Sequence, residues 1–184
     1  FAVENRIALS RTLAEPFQHM HVERLAPFFV TLREMLQSLA PNSRERPRVA
    51  LLSPGPVSRG YFEDAYLARY LGYTLVEGGD LTVRGTRVHL KTLGGLLPVD
   101  VILRRVYDED CDPLDLKGAS TLGVPGLVQA VRVGQVLVAN ALGSGFVEAP
   151  ALMALLPQLC RRLLGEELKL PSVPTWWCAL PDDW

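Results

Sequence analysis

Three short segments of the sequence carry residue types that are suited to binding an anionic ligand. The first, residues 53–60, reads Ser-Pro-Gly-Pro-Val-Ser-Arg-Gly, and its candidate binding residues are Ser53 and Gly55. Backbone N–H groups at the start of a following helix can hold an anion. A tight turn that binds nothing has the same composition, so both interpretations remain open for this segment.

The second segment is an arginine pair, Arg104 and Arg105, followed by acidic residues at positions 108, 109, 110 and 112. Adjacent residues of a strand point to opposite sides. One arginine can therefore face a cleft and bind a carboxylate or phosphate, while the other pairs with the acidic loop. The alternative is a surface cluster of salt bridges. The acidic residues have no spacing that is diagnostic of a metal site.

The third segment, residues 140–145, follows a short apolar run and contains Asn140, Gly143, Ser144 and Gly145. Glycines at such a position allow the backbone to approach a ligand closely. They also occur in loops that need a positive φ for purely structural reasons. Asn140, Gly143, Ser144 and Gly145 are the candidate substrate-binding residues of this segment.

The histidines and cysteines give no comparable signal. His19 and His21 would point apart on a helix, so they do not predict a metal site. The three cysteines, Cys111, Cys160 and Cys178, are far apart and form no CxxC pair, which favours small apolar residues in a reducing compartment over disulfides.

The elements that must position these segments alternate between strand and helix. Short apolar runs predict buried strands at 49–52, 73–76, 99–106 and 136–139, and a hairpin at 81–83 and 87–90. Helices are predicted at 61–71, 124–133 and 151–164. The inward faces of the first and last of these helices are expected to carry Phe62, Ala65, Tyr66 and Tyr70, and Leu152, Leu155, Leu156, Leu159 and Leu163, respectively.

These elements predict an α/β fold, a three-layer parallel sheet of Rossmann-like type with an inserted β-hairpin and a helical N-terminal arm. The arm shows apolar residues at spacings of three and four between positions 22 and 39, and Pro27 would kink or start its helix. If the strands before the three segments are parallel neighbours, their carboxyl ends meet at one edge of the sheet. Ser53, Arg104, Arg105 and Asn140 would then share a cleft.

The composition excludes several classes of function. The chain has 184 residues, 48% of them hydrophobic, and a net charge of −1, which predicts a packed core and no nucleic-acid or anionic-membrane partner. The sequence has no apolar run long enough to span a membrane and no signal peptide at its start, so a cytoplasmic location is expected. The first residue is Phe1 rather than Met, which is expected of a truncated or processed chain.

Several stretches of the sequence together match a known pattern: residues 4–6, 22–29, 61–69, 76–81, 90–93, 101–105, 138–145, 163–168, 171–172 and 175–178. These stretches extend over nearly the whole chain. They resemble the circularly permuted ATP-grasp proteins related to glutathionylspermidine synthase, which are largely uncharacterised bacterial proteins.

The resemblance implies a domain organisation. Residues 1–45 would be a helical arm that belongs to the ATP-grasp lobe, and residues 46–169 would be the pre-ATP-grasp α/β substrate domain. Residues 170–184 would be a tail leading into further ATP-grasp sequence. The arm would pack on the α/β domain or on a second copy of the chain, giving a homo-oligomer.

The resemblance also implies a chemistry. The intact protein would join a carboxylate to an amine through an acyl-phosphate, using ATP and Mg²⁺, and its partners would be small-molecule or peptide substrates. Glu4 and Asn5 match the end of a motif that supplies magnesium ligands in this family. The family's upstream acidic ligand would precede Phe1 and its nucleotide-holding lysine would follow Trp184. The chain alone is therefore expected to lack a complete ATP site and to bind no cofactor tightly.

Two functional hypotheses follow. The first is an ATP-dependent carboxylate–amine ligase, represented here by its substrate domain. The second is a non-catalytic binding or scaffold module with the same fold. A Rossmann-type dinucleotide enzyme is a weaker third possibility, because the sequence has no GxGxxG.

Overall fold

The computed structural model describes residues 2–41 and 45–178. It divides into two compact units, one ending at Leu142 and one beginning at Gly143. Six α-helices and seven strands lie in the described part. The helices are α1 Ala2–Thr12, α2 Ala14–His19, α3 Ala26–Ser38, α4 Tyr61–Leu71, α5 Leu127–Arg132 and α6 Pro150–Leu164. The strands are β1 Val49–Leu52, β2 Thr74–Val76, β3 Leu81–Arg84, β4 Arg87–Thr92, β5 Gly95–Pro98, β6 Val101–Arg104 and β7 Leu137–Ala139.

Four strands form a parallel sheet in the order β2-β1-β6-β7. Leu52 is paired with Val76 on one side and with Arg104 on the other, and Leu103 is paired with Ala139. All four strands run in the same direction, so their carboxyl ends lie at one edge of the sheet. The predicted α/β fold with a parallel sheet is confirmed.

A second sheet is antiparallel and has the order β3-β4-β5. The sequence predicted only the hairpin of β3 and β4, so the insertion has one strand more than expected. β5 was missed because its four residues do not alternate in polarity, and three of them are exposed. Lys91 pairs with Leu96, which gives the outer side of β4 a backbone partner that it would otherwise lack.

The core of the first unit consists of two clusters on the two faces of the parallel sheet. On one face Ala50 and Leu52 pack with residues of the antiparallel sheet and of α5. On the other face Val49 packs with α3 and with the end of α4. Alternating residues of β1 thus enter opposite clusters, as strand geometry requires. This arrangement confirms the expected three layers.

Helix α3 is the part of the N-terminal arm that packs most closely on the sheet. It has a proline at its first turn, where a missing N–H is tolerated. Phe29 and Leu36 are buried against Leu71 and Tyr73, and Leu32 packs at the margin of the same cluster. Phe28 on the same helix is exposed. The arm therefore packs on the α/β core within the first unit, while its assignment to an ATP-grasp lobe stays a prediction.

Two predicted helix faces are wrong. In α4 the expected inward residue Phe62 is 72% exposed, whereas Asp64, Ala68 and Leu71 are buried. The buried face of α4 is thus formed by residues 64, 68 and 71. It differs from the predicted face because the Asp64 carboxylate, in the first turn of the helix, faces the edge of the sheet. In α6, which lies in the second unit, no residue is buried, and the expected core residue Leu163 is exposed.

No helix in the described ranges is both long enough and apolar enough to cross a membrane.

Candidate functional site

The candidate site of the first unit is the carboxyl edge of the parallel sheet. Ser53 directly follows β1, Arg104 is the last residue of β6, and Asn140 directly follows β7. Since β6 lies between β1 and β7, the end of β6 is flanked by Ser53 on one side and by Asn140 on the other. The structure thus places Ser53, Arg104, Arg105 and Asn140 at one edge.

Arg104 is held by the chain itself. Its guanidinium donates to the carbonyl oxygens of Val106 (Nη1, 2.7 Å), Asn140 (Nε, 3.1 Å) and Ala141 (Nη2, 3.4 Å). Nη2 also lies 2.7 Å from Oδ1 of Asp108, and only 9% of the arginine side chain is exposed. These contacts use most of the five donors of a guanidinium. Arg104 therefore ties the loop after β7 to the end of β6.

Arg105 points to the other side of β6 and is far more accessible. Its Nε donates to Oδ1 of Asp64 at 2.7 Å, and its Nη2 lies 3.8 Å from Oε1 of Glu63. The side chain is 41% exposed. Asp64 binds the Nε side of the guanidinium, and other N–H groups of Arg105 remain near the protein surface. This geometry suits a ligand that approaches from solvent with a carboxylate or phosphate oxygen.

Asp64 connects Arg105 to the first candidate segment. The Ser53 hydroxyl donates to Asp64 Oδ2 at 2.9 Å, and the Gly55 N–H donates to Ser53 Oγ at 3.3 Å. Both Ser53 and Asp64 are buried. The buried carboxylate is therefore satisfied by a hydroxyl and a guanidinium, as a buried charge requires.

Asp64 was not among the residues predicted for the site. A polar residue on an amphipathic helix usually faces solvent, and the prediction placed Phe62 inward instead. A signal was nevertheless available, because Asp64 lies four residues before Ala68 and seven before Leu71. That spacing puts it on the same helix face as two small or apolar residues.

Gly55 has a backbone conformation that favours glycine, and it lies against the Glu77 side chain. Its φ is +92°, and a Cβ at this position would lie 2.8 Å from Oε2 of Glu77. Glu77 follows β2 and caps the 3₁₀ helix Gly78–Asp80, in which the Asp80 carboxylate accepts the Glu77 N–H at 2.9 Å. The glycine in the first segment thus permits close approach of a carboxylate from the neighbouring strand end.

A polar cavity of about 300 Å³ opens beside this contact. Ser53, Pro54, Glu77 and Asp80 line it, together with Thr121 from the loop that follows the acidic segment. Glu77, Asp80 and Thr121 were not identified from the sequence. Glu77 had a detectable signal, since it directly follows a strand of the same sheet as the predicted residues.

The acidic loop after the arginine pair is structural. The Asp112 carboxylate is buried and accepts the N–H groups of Leu114, Gly126 and Val128, so it holds the start of α5. Lys117 binds Glu109 at 2.8 Å and lies 3.1 Å from Asp110. These two carboxylates raise the pKa of the Lys117 ammonium.

Gly143, Ser144 and Gly145 belong to the second unit. Gly143 has a φ of +87° and precedes the 3₁₀ helix Ser144–Glu148. The positive φ accounts for this glycine in local terms. A role of these three residues in substrate binding stays a prediction.

The predicted magnesium ligands lie on α1. Glu4 is half-buried and Asn5 is exposed. Carboxylate and amide oxygens are hard donors of the kind that Mg²⁺ prefers, so their chemistry fits the ion. They supply two donors, whereas Mg²⁺ takes six ligands, most of which come from water and phosphate. Across residues 2–41 and 45–178, no group of three His, Cys, Asp or Glu side chains is placed to hold a metal ion.

The cysteines differ in environment. Cys111 is buried, and desolvation raises the pKa of its thiol to about 11, which confirms the prediction of a small apolar residue. Cys160 is partly buried. Cys178 is exposed, so it does not have the packing role that was expected.

Comparison with known proteins gives a consistent assignment. The sequence profile of a family described as circularly permuted ATP-grasp type 2 matches residues 1–184. An uncharacterized protein of Mycobacterium tuberculosis is 42% identical over 183 residues, covering 100% of this chain and 21% of the relative. Uncharacterized proteins of Synechocystis and of Mycobacterium leprae are 37% and 35% identical over 183 residues each, and the chain covers 38% and 33% of their lengths. The chain therefore spans less than two fifths of these relatives.

Proposed function

The chain belongs to the circularly permuted ATP-grasp type 2 family, and from this premise we propose that it is part of an ATP-dependent carboxylate–amine ligase. In the proposed reaction a carboxylate oxygen takes the γ-phosphoryl group of ATP, which releases ADP. The amine then attacks the acyl carbon, phosphate leaves, and the amine nitrogen loses a proton to form the amide. This chain would contribute the α/β substrate domain.

The observation that carries the proposal is the position of Arg105 at the shared strand edge. Its guanidinium is held by the Asp64 carboxylate at 2.7 Å, and its side chain remains 41% exposed. A fork held in this way loses little side-chain entropy when it binds a carboxylate. Arg105 would therefore orient the acid substrate, while Ser53 and Asp64 would keep the guanidinium in place.

ATP and Mg²⁺ would supply the phosphoryl group and neutralise its charge. Glu4 and Asn5 have the donor atoms to hold Mg²⁺, with the remaining ligands from phosphate oxygens and water. Under this proposal the partners are small-molecule or peptide carboxylates and amines. The 184-residue chain by itself would be inactive.

A non-catalytic binding or scaffold module is the second candidate. The contacts of Arg104 favour it, because three carbonyl oxygens and Asp108 occupy that guanidinium. If Arg105 also served only as the ion-pair partner of Asp64, the polar groups at the carboxyl edge would stabilise the fold and would bind no substrate.

The experiment that separates the two candidates is an acyl-phosphate trap. The full-length protein is incubated with Mg-ATP, hydroxylamine and a panel of carboxylic acids, and both ADP and hydroxamate are measured. A ligase forms the two products in equal amounts with at least one acid. Changing Arg105→Ala should raise the KM for that acid by about tenfold or more, as expected for loss of charge-assisted hydrogen bonds.

The matched control is Arg84→Ala, which removes an exposed arginine at the end of β3. It should leave the KM unchanged. Release of ADP without formation of hydroxamate, or no release of ADP with any acid, would contradict the ligase proposal and favour the scaffold module.

A further inference from the structure

A second polar pocket lies at the opposite edge of the parallel sheet, where β1 and β2 begin. It has a volume of about 820 Å³ and is lined by Val49 and Thr74 at the strand starts. Residues of α3 and of the segment before β1 form its other walls. Neither the predicted substrate residues nor the predicted magnesium ligands lie in this pocket.

Three arginines converge on the pocket. Arg33 comes from α3, and Arg46 and Arg48 come from the segment that leads into β1. The lining contains one carboxylate, that of Glu34, so the formal charge of the walls is positive. The buried Asp100 carboxylate also accepts the backbone N–H of Arg48 at 2.9 Å. Three guanidinium groups against these two carboxylates leave an excess of positive charge, which favours an oxyanion ligand.

The arginines differ in how they are held. Arg48 is half-buried, and its Nη1 donates to the carbonyl oxygen of Pro98 at 2.7 Å, which fixes the guanidinium while leaving other N–H groups available. Arg33 and Arg46 are exposed and have no hydrogen bond or ion pair within residues 2–41 and 45–178. The pocket is therefore lined by one arginine that is held by a hydrogen bond and by two that have none in the described part of the chain.

Tyr73 provides an independent observation that points to a ligand. The residue is 9% exposed, and its hydroxyl has no hydrogen-bond partner in the described part of the chain. A buried hydroxyl without a partner is uncommon and costs stability. Tyr73 lines the pocket, and its hydroxyl oxygen has almost no solvent-accessible surface. An acceptor atom bound in the pocket would therefore satisfy the hydroxyl once the adjoining side chains shift to admit it.

The electrostatics of Tyr73 agree with this role. Burial raises the pKa of its hydroxyl, and the nearby guanidinium of Arg33 opposes that shift. The phenol therefore stays protonated at neutral pH and can donate a hydrogen bond.

We propose that the pocket at the amino ends of β1 and β2 binds a phosphate group, with the Tyr73 hydroxyl and the guanidiniums of Arg33 and Arg48 as donors. A phosphate dianion has enough oxygen acceptors to satisfy a hydroxyl and two forks at once. The group can arrive as inorganic phosphate or as a phosphate monoester. This site is separate from the carboxyl edge and does not depend on the ligase proposal.

The test is isothermal titration calorimetry of the protein in a phosphate-free buffer of low ionic strength, where electrostatic binding is least screened. Inorganic phosphate and glycerol phosphate are titrated separately, and the tighter ligand identifies the source. Succinate serves as a carboxylate of similar charge. We expect saturable binding of one phosphate per chain, with succinate binding more weakly.

Arg33→Ala should weaken phosphate binding by about tenfold or more, since it removes a charge-assisted contact. Tyr73→Phe should weaken it by several-fold while the urea midpoint stays the same or rises, because the variant removes only an unsatisfied hydroxyl. Arg84→Ala is the matched control, since it deletes an exposed arginine outside the pocket.

Four outcomes would overturn the proposal. The first is the absence of saturable phosphate binding to the unmodified protein. The second is equal loss of affinity in Arg33→Ala and Arg84→Ala, which would indicate non-specific attraction. The third is an affinity for phosphate that is unchanged in both single variants, Tyr73→Phe and Arg33→Ala. Tighter binding of succinate than of phosphate would also contradict it.

Discussion

Oδ1 of Asp64 lies 2.7 Å from Nε of Arg105 and joins the first turn of α4 to the end of β6. The side chain of Asp64 is 3% exposed, whereas that of Arg105 is 41% exposed. The pair therefore has one buried partner and one accessible partner. This asymmetry gives the carboxyl edge a fixed cation at its surface.

Replacing Asp64 should destabilise the protein. Asp64→Ala leaves the Ser53 hydroxyl and the Arg105 guanidinium without their acceptor, and we expect a loss of about 1–3 kcal/mol, because the exposed arginine is partly solvated. Urea unfolding measures the change. Glu63→Gln is the control, since Glu63 lies 3.8 Å from the same arginine and is 43% exposed. A loss in Glu63→Gln as large as in Asp64→Ala would contradict the central role of Asp64.

Gly55→Ala should also destabilise the first unit. The new Cβ would lie 2.8 Å from Oε2 of Glu77 and would occupy a residue with a φ of +92°. We expect a loss of about 1–3 kcal/mol from strain and displacement of the carboxylate. Gly85→Ala has a positive φ but no atom within 4 Å of its Cβ, so it isolates the backbone contribution.

The double variant Gly55→Ala with Glu77→Ala tests the steric part of that explanation. Removing the Glu77 carboxylate should recover part of the stability lost in Gly55→Ala, since the contacting atoms are gone. Urea unfolding of all four proteins gives the coupling free energy. Strictly additive losses would show that the contact with Glu77 does not matter.

Cys111 should resist alkylation in the folded protein. Burial raises its pKa from 9.0 to about 11, so almost no thiolate is present at pH 8. Iodoacetamide should label the exposed Cys178 first, and Cys111 should react only after unfolding. Mass spectrometry of peptides with and without urea checks this order. Labelling of Cys111 at the rate of Cys178 would contradict it.

The same pKa predicts a pH dependence of stability. The folded state holds the Cys111 proton more tightly than the unfolded state, so this contribution is fully present below the unfolded pKa of 9.0. It is lost as the pH rises toward about 11. Cys111→Ser should flatten the alkaline part of the curve of unfolding free energy against pH.

The 184-residue chain should bind Mg-ATP weakly or not at all. Glu4 and Asn5 supply only two oxygen donors, and the described residues place no group of three metal-binding side chains together. Calorimetry with Mg-ATP checks the expectation. A micromolar dissociation constant, which corresponds to about −8 kcal/mol, would contradict it.

Helix α3 should promote self-association of the chain. Phe28 is 59% exposed, and Met35 and Leu39 on the same arm are also exposed. Such a stripe favours contact with another apolar surface. Phe28→Ser should therefore shift sedimentation toward monomer. Phe62→Ser on α4, which is 72% exposed, should have little effect, and an equal effect of both variants would argue against a specific role of α3.

The local pattern of the sequence determined most of the secondary structure. Four consecutive apolar residues, 49–52, predicted a strand buried on both faces, and all four are buried. Helix α4 begins and ends where predicted, because Gly60 and Gly72 border its helical pattern and Gly72 has a φ of +73°. These features depend on neighbours in the chain, which a sequence displays directly.

The parallel arrangement brought Ser53, Arg104 and Asn140 to one edge, but only the tertiary structure decided which groups meet there. Arg105 and Asp64 are 41 residues apart in the chain, and Arg104 binds carbonyl oxygens 36 and 37 residues away. The unpartnered Tyr73 hydroxyl and the pocket beside Arg33 are likewise products of packing. Hydrophobic periodicity predicts which face of an element is buried. It carries no information about which polar groups from distant elements approach closely enough to bind, since that depends on strand order and on how the helices pack on the sheet.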